Sequence, residues 1–526
     1  MTATITFTLD GLEVAVPADG ASLLEVLRDR LGSRSAKDGC SPQGQCGCCT
    51  VLVDGQARVA CVTPAARIAG RVVTTLDGMA PELRAQWAEA FTDTGASQCG
   101  FCTPGIIVRL AALAGRSVVA GEVEPDAAVD QALLAHLCRC TGWQTIREAA
   151  ALVRDRTSAG TSVAVRPRRD LEAAARRASL EGASAQHVSS NIALGAGGFA
   201  DDAAPADALV AVRNSAGDWV VAETLSEARR LAGKVQGRRT TAALTWPVSV
   251  PEGDWVRTLQ TTWVEPAYLE PDASWCRPGA EPASPLGNAG AFGGKVTTDV
   301  GEVAKRLAEQ HGRAVRVLFS REDVVRLGPK RPPLALGLRA DGSGRVRVVR
   351  TPGIVEAIMS IAPGLVVEQV DLAGPPTSAS VRAAGWAEVA AGLASLREGD
   401  SGDEVVAPNG ARAIVTVGVD GSVSVRVWAG EVLDAVVLRS YCIGAVHQAI
   451  GWVRSEAIGV DHEGVPMDLT IRSFGIVRAI DLPPISVTIE DDDGPAVNGS
   501  DAVFAATAAA IWRHEVFASR WPCART

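Results

Sequence analysis

Eight of the twelve cysteines in this 526-residue chain fall into two groups, and their spacing constrains the fold more than any other feature. The first group is Cys40, Cys46 and Cys49, with Cys61 twelve positions further on. It follows the plant-type C-x4-C-x2-C pattern with a distant fourth cysteine, lengthened by one residue because Ser41 to Gln45 fill the first gap. Gly39, Gly44 and Gly47 give this loop the backbone freedom to curl around sulfur and turn NH groups toward it, which suits an anionic centre. Cys48 falls between the ligand positions and is expected to point away.

The second group is Cys99, Cys102, Cys138 and Cys140. Thr103-Pro104-Gly105 reads as a helix start, with proline where its missing NH costs nothing, so Cys99 and Cys102 are expected at a positive helix end. Ile106, Ile107, Leu110 and Leu113 continue at helical spacing, and Leu133, Leu134 and Leu137 lead back to Cys138. A small helical bundle with a metal site at its end is expected. Zinc remains open on spacing alone, although zinc sites built from C-x2-C usually use two such pairs and here the second half is C-x-C. Met1 leads straight into alternating residues without a basic or apolar leader, which sets the expectation of a cytoplasmic chain and disfavours disulfides.

The chain has room for three or four domains, and 47% hydrophobic residues are enough for ordinary cores. A net charge of -9 argues against nucleic acid or an anionic membrane as partner. No apolar run reaches membrane-spanning length. In order, Ile5, Phe7 and Leu9 alternate, Asp10-Gly11 turns, and Leu12, Val14 and Val16 alternate again; Ser22 with Glu25 then reads as a capping box. Val51 to Val53, Asp54-Gly55 and a strand over Val59 to Val62 close the unit and deliver Cys61. Leu334 to Leu338 with Val346 and Val348, and Val415 to Val419 with Val423 to Val427, read as two later hairpins. His136 is expected on a helix surface. Cys276, Cys442 and Cys523 are isolated and expected to be inert.

Three motifs, Gly39-Cys40 to Cys49-Thr50-Val51, Gln98 to Gly105 and Leu137 to Gly142, together resemble the two-cluster small subunit of the molybdenum hydroxylases. That family includes xanthine dehydrogenase, aldehyde oxidoreductase and carbon monoxide dehydrogenase. The resemblance implies an α+β multidomain chain: a ferredoxin-like β-grasp 2Fe-2S domain over 1–78 and a four-helix 2Fe-2S domain over 79–157. It implies one cluster on Cys40, Cys46, Cys49 and Cys61, a second on Cys99, Cys102, Cys138 and Cys140, and a pterin-facing role for Gln98. Electrons would pass from molybdenum to the second cluster, then to the first, then to flavin.

Residues 158–209 read as a linker, with Arg166 to Arg169 a solvated charge run. Beyond it, fragments of 210–526 resemble the family's molybdopterin-binding subunit: Trp219 to Ala228, Val264 to Pro271, the glycine-rich Ala289 to Lys295, Arg382 to Gly385, Gly444 to Glu456 and Leu469 to Pro483. The departures are as informative. Only about twenty residues separate Glu270 from Phe292, the long cofactor-binding stretch before Gly444 is missing, and Val497-Asn498-Gly499-Ser500-Asp501 stands where the family carries Gly-Glu-Pro-Pro with its catalytic glutamate. A positioned base is worth typically about 10² to 10⁴ in rate, and Asp501 is displaced and one methylene shorter. The expectation is an iron-sulfur electron-transfer subunit of a multi-subunit molybdenum hydroxylase, with no catalytic residue of its own. Molybdopterin and FAD would lie in partner subunits of a hetero-oligomer, and the shortened third domain would serve assembly. The alternatives are a self-contained small hydroxylase using Asp501 as base, and a non-enzymatic iron-sulfur adaptor or electron carrier.

Overall fold

The structure, a computed structural model, describes residues 4–40, 42–114, 125–158, 169–233, 243–287, 289–397 and 403–525. The first unit is a five-stranded sheet of β1 (Thr4–Leu9), β2 (Leu12–Pro17), β3 (Thr50–Val53), β4 (Gln56–Val59) and β5 (Val72–Thr74), in the order β2-β1-β5-β3-β4. The first hairpin forms in the expected register, Ile5 opposite Val16 and Phe7 opposite Val14, because its inward positions are the apolar ones. β1 and β5 run parallel at the centre, and the Ser22 hydroxyl caps the following helical segment by accepting from the Glu25 NH.

The second unit holds helices Pro81–Thr94, Thr103–Ala114, Pro125–Leu133 and Gln144–Ser158, the first packed on the last and the second on the third. Thr103–Ala114 begins where the Thr-Pro-Gly signal places it and buries Ile106, Ile107 and Leu110.

Three four-stranded sheets follow. β6 (Leu209–Arg213), β7 (Trp219–Ala222), β9 (Ala273–Cys276) and β10 (Val315–Leu318) form one, ordered β7-β6-β10-β9. β8 (Arg257–Gln260) joins β11 (Leu334–Leu338), β12 (Gly344–Val349) and β13 (Val366–Val370) as β13-β12-β11-β8, and β14 (Asp403–Val406), β15 (Arg412–Val417), β16 (Val423–Trp428) and β17 (Ile485–Ile489) lie in sequence order. Both expected hairpins are β11-β12 and β15-β16. Two long helices, Ala435–Arg454 and Ser500–His514, pack on each other through buried alanines, valines and isoleucines.

The stretch expected as a linker departs from that reading over its described part. Asp170 caps a helix, Leu171–Gly182, whose Ala173, Ala174 and Ala178 are buried. Its Arg177 is fully buried, donating to the carbonyls of Val432, Val497, Ala429 and Glu431 while pairing with Glu181 at 3.1 Å. The Ala/Arg-rich composition is that of a helix whose small face packs closely, with one cation satisfying the carbonyl ends of another domain. Arg169 pairs bidentately with Asp434 at 2.8 and 3.0 Å instead of facing solvent, while Arg166 to Arg168 lie outside the described residues. Among the described residues no helix is long and apolar enough to cross a membrane.

Candidate functional site

The loop after residue 36 and the turn after β4 bring the first four cysteines together. Cys40, Cys46 and Cys61 lie within hydrogen-bond reach through their sulfurs, and Cys49 is paired with Cys61. Backbone NH groups face these sulfurs, Gln45 to Cys40 at 3.2 Å and Cys61 to Cys49 at 3.4 Å. The neighbouring Cys46 sulfur pulls the Cys40 thiol well below its ordinary range, while the Cys40 sulfur drives Cys46 and Cys61 up.

The second four converge as two pairs across the bundle end. Cys140 and Cys99 sulfurs are 3.5 Å apart, and Cys102 is paired with Cys138. The Cys102 sulfur lowers Cys138 to about 6, helped by the Thr141 hydroxyl at 3.1 Å, and Cys102 itself is pushed far up. All eight are free thiols, and only Cys99 is less than fully buried among them. Among the described residues no group of three or more Cys, His, Asp or Glu converges on a single metal ion. Thiols that crowd in pairs, with NH groups aimed at sulfur, have instead the donor set of a binuclear centre in which each metal takes two thiolates and shares bridging ligands. The residues fit two 2Fe-2S clusters.

The three loop glycines have distinct surroundings. Gly47 has φ +73° and lies so close to the His136 ring that a Cβ would come within 2.5 Å of it. A side chain at Gly39 would meet the Cys46 sulfur at 3.0 Å, and one at Gly44 would meet Val62. His136 is buried, contrary to the surface expectation: Thr50 gives its hydroxyl hydrogen to the Gly47 carbonyl at 2.7 Å, so its oxygen accepts from His136 Nε2 at 3.2 Å. Burial holds this imidazole at about 3, neutral. Leu137 NH donates to the Cys46 carbonyl at 3.0 Å, tying the two cysteine loops together. Cys48 is buried with its sulfur 3.8 Å from the Cys46 carbonyl, within electrostatic reach of Cys40, Cys49 and Cys138, so it lies in the wall between the two sets. The only sequence signal for this wall is the position of His136 two residues before a ligand cysteine.

Gln98 turns its amide NH₂ to the Cys140 carbonyl at 3.1 Å and to the Ser440 hydroxyl at 2.9 Å. The Ala435–Arg454 helix thus covers the face of the second site. A Cβ at Gly444 would collide with the Cys140 carbonyl, and one at Gly290 would sit 3.3 Å from the Cys140 sulfur. The third domain grips both loops: Arg321 donates to the Gly39 carbonyl at 2.7 Å, Arg472 to Gln45 at 2.9 Å, and Trp143 to Val477 at 3.2 Å.

The fragments that resemble a molybdopterin-binding subunit also meet, around a cavity of about 30 Å³ lined by Glu265, Ala291, Arg382, Gln448, Trp452 and Glu456 among others. That volume holds roughly two waters. Charge pairs take up the rest. Arg139 binds Glu456 at 2.5 and 2.7 Å, Arg331 binds Glu388 at 2.7 and 2.9 Å while lying 3.9 Å from the Trp452 ring centre, and Lys330 binds Glu265 at 2.9 Å. Asp501 pairs with Arg382 at 3.1 Å and accepts from Asn498 at 3.3 Å, and burial raises its carboxyl above the usual range. These side chains do not leave space for a pterin cofactor, and Asp501 is engaged by a guanidinium.

Comparison with known proteins agrees with the thiol geometry. A family of 2Fe-2S iron-sulfur cluster binding domains matches residues 7–71, and a [2Fe-2S] binding domain family matches residues 75–151. The xanthine dehydrogenase iron-sulfur-binding subunit of Escherichia coli O157:H7 is 39% identical over 147 residues, covering 28% of this chain and 90% of that protein. The nicotinate dehydrogenase small FeS subunit of Eubacterium barkeri is 34% identical over 149 residues, 28% of this chain and 91% of that one. The aldehyde oxidoreductase structure from Desulfovibrio gigas aligns with a TM-score of 0.72 at 14% identity, across 99% of both chains, a likeness of fold. With two thiol quartets on the folds these relatives share, the chain belongs to the molybdenum hydroxylase family, the oxidoreductases whose iron-sulfur subunits include that of xanthine dehydrogenase.

Proposed function

We propose that the chain is an iron-sulfur electron-transfer subunit of a multi-subunit molybdenum hydroxylase whose molybdopterin and FAD are held by other chains. Cys40, Cys46, Cys49 and Cys61 would hold one 2Fe-2S cluster and Cys99, Cys102, Cys138 and Cys140 the other. A bound 2Fe-2S centre supplies reversible one-electron storage. The chain's own groups do the rest. Buried NH and hydroxyl donors at Gln45, Cys61 and Thr141 stabilise anionic sulfur, and the His136, Thr50 and Cys48 wall keeps water out of the gap between the two sites. The observation that carries this reading is the contrast between two intact thiol quartets and a neighbouring cleft of about 30 Å³ filled by ion pairs. The shortened domain over 210–526 would act in assembly, as a cover for the second site.

A second reading, a free-standing electron carrier, is favoured by one observation: the chain's own Ala435–Arg454 helix lies over the Cys140 side, where a catalytic partner would need access. Purifying the native protein through a tag on this chain separates the two. Recovery with a larger molybdenum-containing chain and a flavin chain supports the subunit, and recovery of this chain alone with both chromophores supports the carrier.

A further inference from the structure

A second cavity, of about 120 Å³, opens beside Cys99 and is lined by Gln98, Gln186, Ile192, Phe199, Glu270 and the 284–289 turn among others. It is distinct from the filled cleft. Three of its lining side chains each carry a buried polar atom that no protein group satisfies: Gln98 Oε1, Gln186 Nε2 and Glu270 Oε1. The other polar atoms of these groups are committed. Gln98 Nε2 serves Cys140 and Ser440, Gln186 Oε1 accepts from Tyr441 at 2.9 Å, and Glu270 Oε2 holds Lys295 at 2.5 Å. Leaving a buried polar atom unmade costs about 1–3 kcal/mol, so three around one cavity point to an absent partner. Waters alone would satisfy them, but the same wall offers apolar surface from Ile192, Phe199, Pro285 and Leu286.

We propose that this cavity is a binding site for a small uncharged single-ring lactam or cyclic amide, seated against Cys99. The ring NH donates to Gln98 Oε1, the ring carbonyl accepts from Gln186 Nε2, and a second ring donor meets Glu270 Oε1. The volume is that of one six-membered ring; an apolar cavity of comparable size, about 150 Å³, takes benzene. Each face of the ring meets Phe199 or the Pro285 and Leu286 side. Binding next to Cys99, the one partly exposed cysteine of its quartet, would alter the surroundings of the second cluster, and this consequence rests on the cluster assignment above.

The test uses the full chain reconstituted with iron and sulfide, with 2-pyridone as probe and N-methyl-2-pyridone as control. Saturable heat from 2-pyridone, about tenfold weaker binding of the control, and about tenfold weaker binding of 2-pyridone to Gln186→Leu are expected, since each removes one hydrogen bond. The visible circular dichroism of the second cluster should shift on binding. An intact cluster spectrum with no saturable binding at millimolar probe overturns the site, as does equal binding of the control. Absence of any cluster chromophore fails the underlying assignment instead, and calorimetry on the metal-free chain still decides the cavity. Gln186 lies in a partly exposed loop, so Leu286→Trp, which fills the cavity from the turn, provides a second variant that should abolish binding.

Discussion

The first 157 residues and the region after residue 209 both bury polar groups, and they use them in opposite ways. In the first region the buried polar centres are thiols grouped in fours, with each sulfur near another and little opposite charge nearby. In the second, the buried cations are taken up one by one: Arg139 by Glu456, Arg331 by Glu388, Arg382 by Asp501, Lys295 by Glu270 and Lys330 by Glu265. Converging like groups with no counter-ion await a cation, whereas ion pairs closed on themselves are complete. A site retained for a ligand and a cleft settled into structure are told apart by whether their buried charges are already balanced.

The largest effect expected from breaking this contrast is on metal content. Cys102→Ser should lose half of the iron, with loss of one of two cluster signals in electron paramagnetic resonance. Cys442→Ser, at a buried thiol outside both quartets, should keep all of it. Equal iron in both would remove the distinction between the regions.

Glu456→Ala should destabilise the fold by about 3–5 kcal/mol, because it leaves Arg139 buried and uncompensated. Denaturant unfolding of the third domain checks it, and the double replacement Arg139→Met with Glu456→Leu should recover most of the loss. A small effect of the single change would mean that the cleft pairs are looser than their geometry.

A pH test sharpens the second region. His447 is fully buried and held near 4 by burial, while its Nε2 donates to the Val477 carbonyl at 2.9 Å. Its folded pKa lies below the unfolded 6.5, so this contribution is whole above pH 6.5 and lost as pH falls toward 4, with a slope of about 1.4 kcal/mol per pH unit. His447→Gln keeps the donor and should flatten that part of the stability profile. An unchanged slope would show that the imidazole is not the group responsible.

The smallest effect is expected from Asp501→Asn. Arg382 keeps Ser500 at 2.7 Å and lies 4.3 Å from the Phe292 ring centre, so the cost should be about 1 kcal/mol. Turnover of a purified native complex should not change; a fall of about 10² or more would restore Asp501 as a base.

The cysteine spacings, the helix start at Thr103 and the alternating hairpins were legible because each is a local pattern set by two-residue or 3.6-residue periodicity. The helix at Leu171–Gly182 was not, because its apolar face is made of alanine and its anchor is an arginine satisfied by carbonyls more than 250 positions away. The closure of the cleft was equally hidden. Arg139 and Glu456 are 317 residues apart, and nothing near either announces the pair. His136 read as a surface residue because its partners, Gly47 and Thr50, lie in another domain, 86 residues distant in the case of Thr50.

The most direct test is elemental analysis for iron, acid-labile sulfide and molybdenum on this chain alone, produced in a host that makes the molybdenum cofactor. Iron and sulfide in equal amounts, sufficient for two 2Fe-2S clusters, with no molybdenum, are expected from intact thiol quartets beside a filled cleft. Stoichiometric molybdenum retained by the lone chain would contradict it, because the cleft would then open to admit a cofactor.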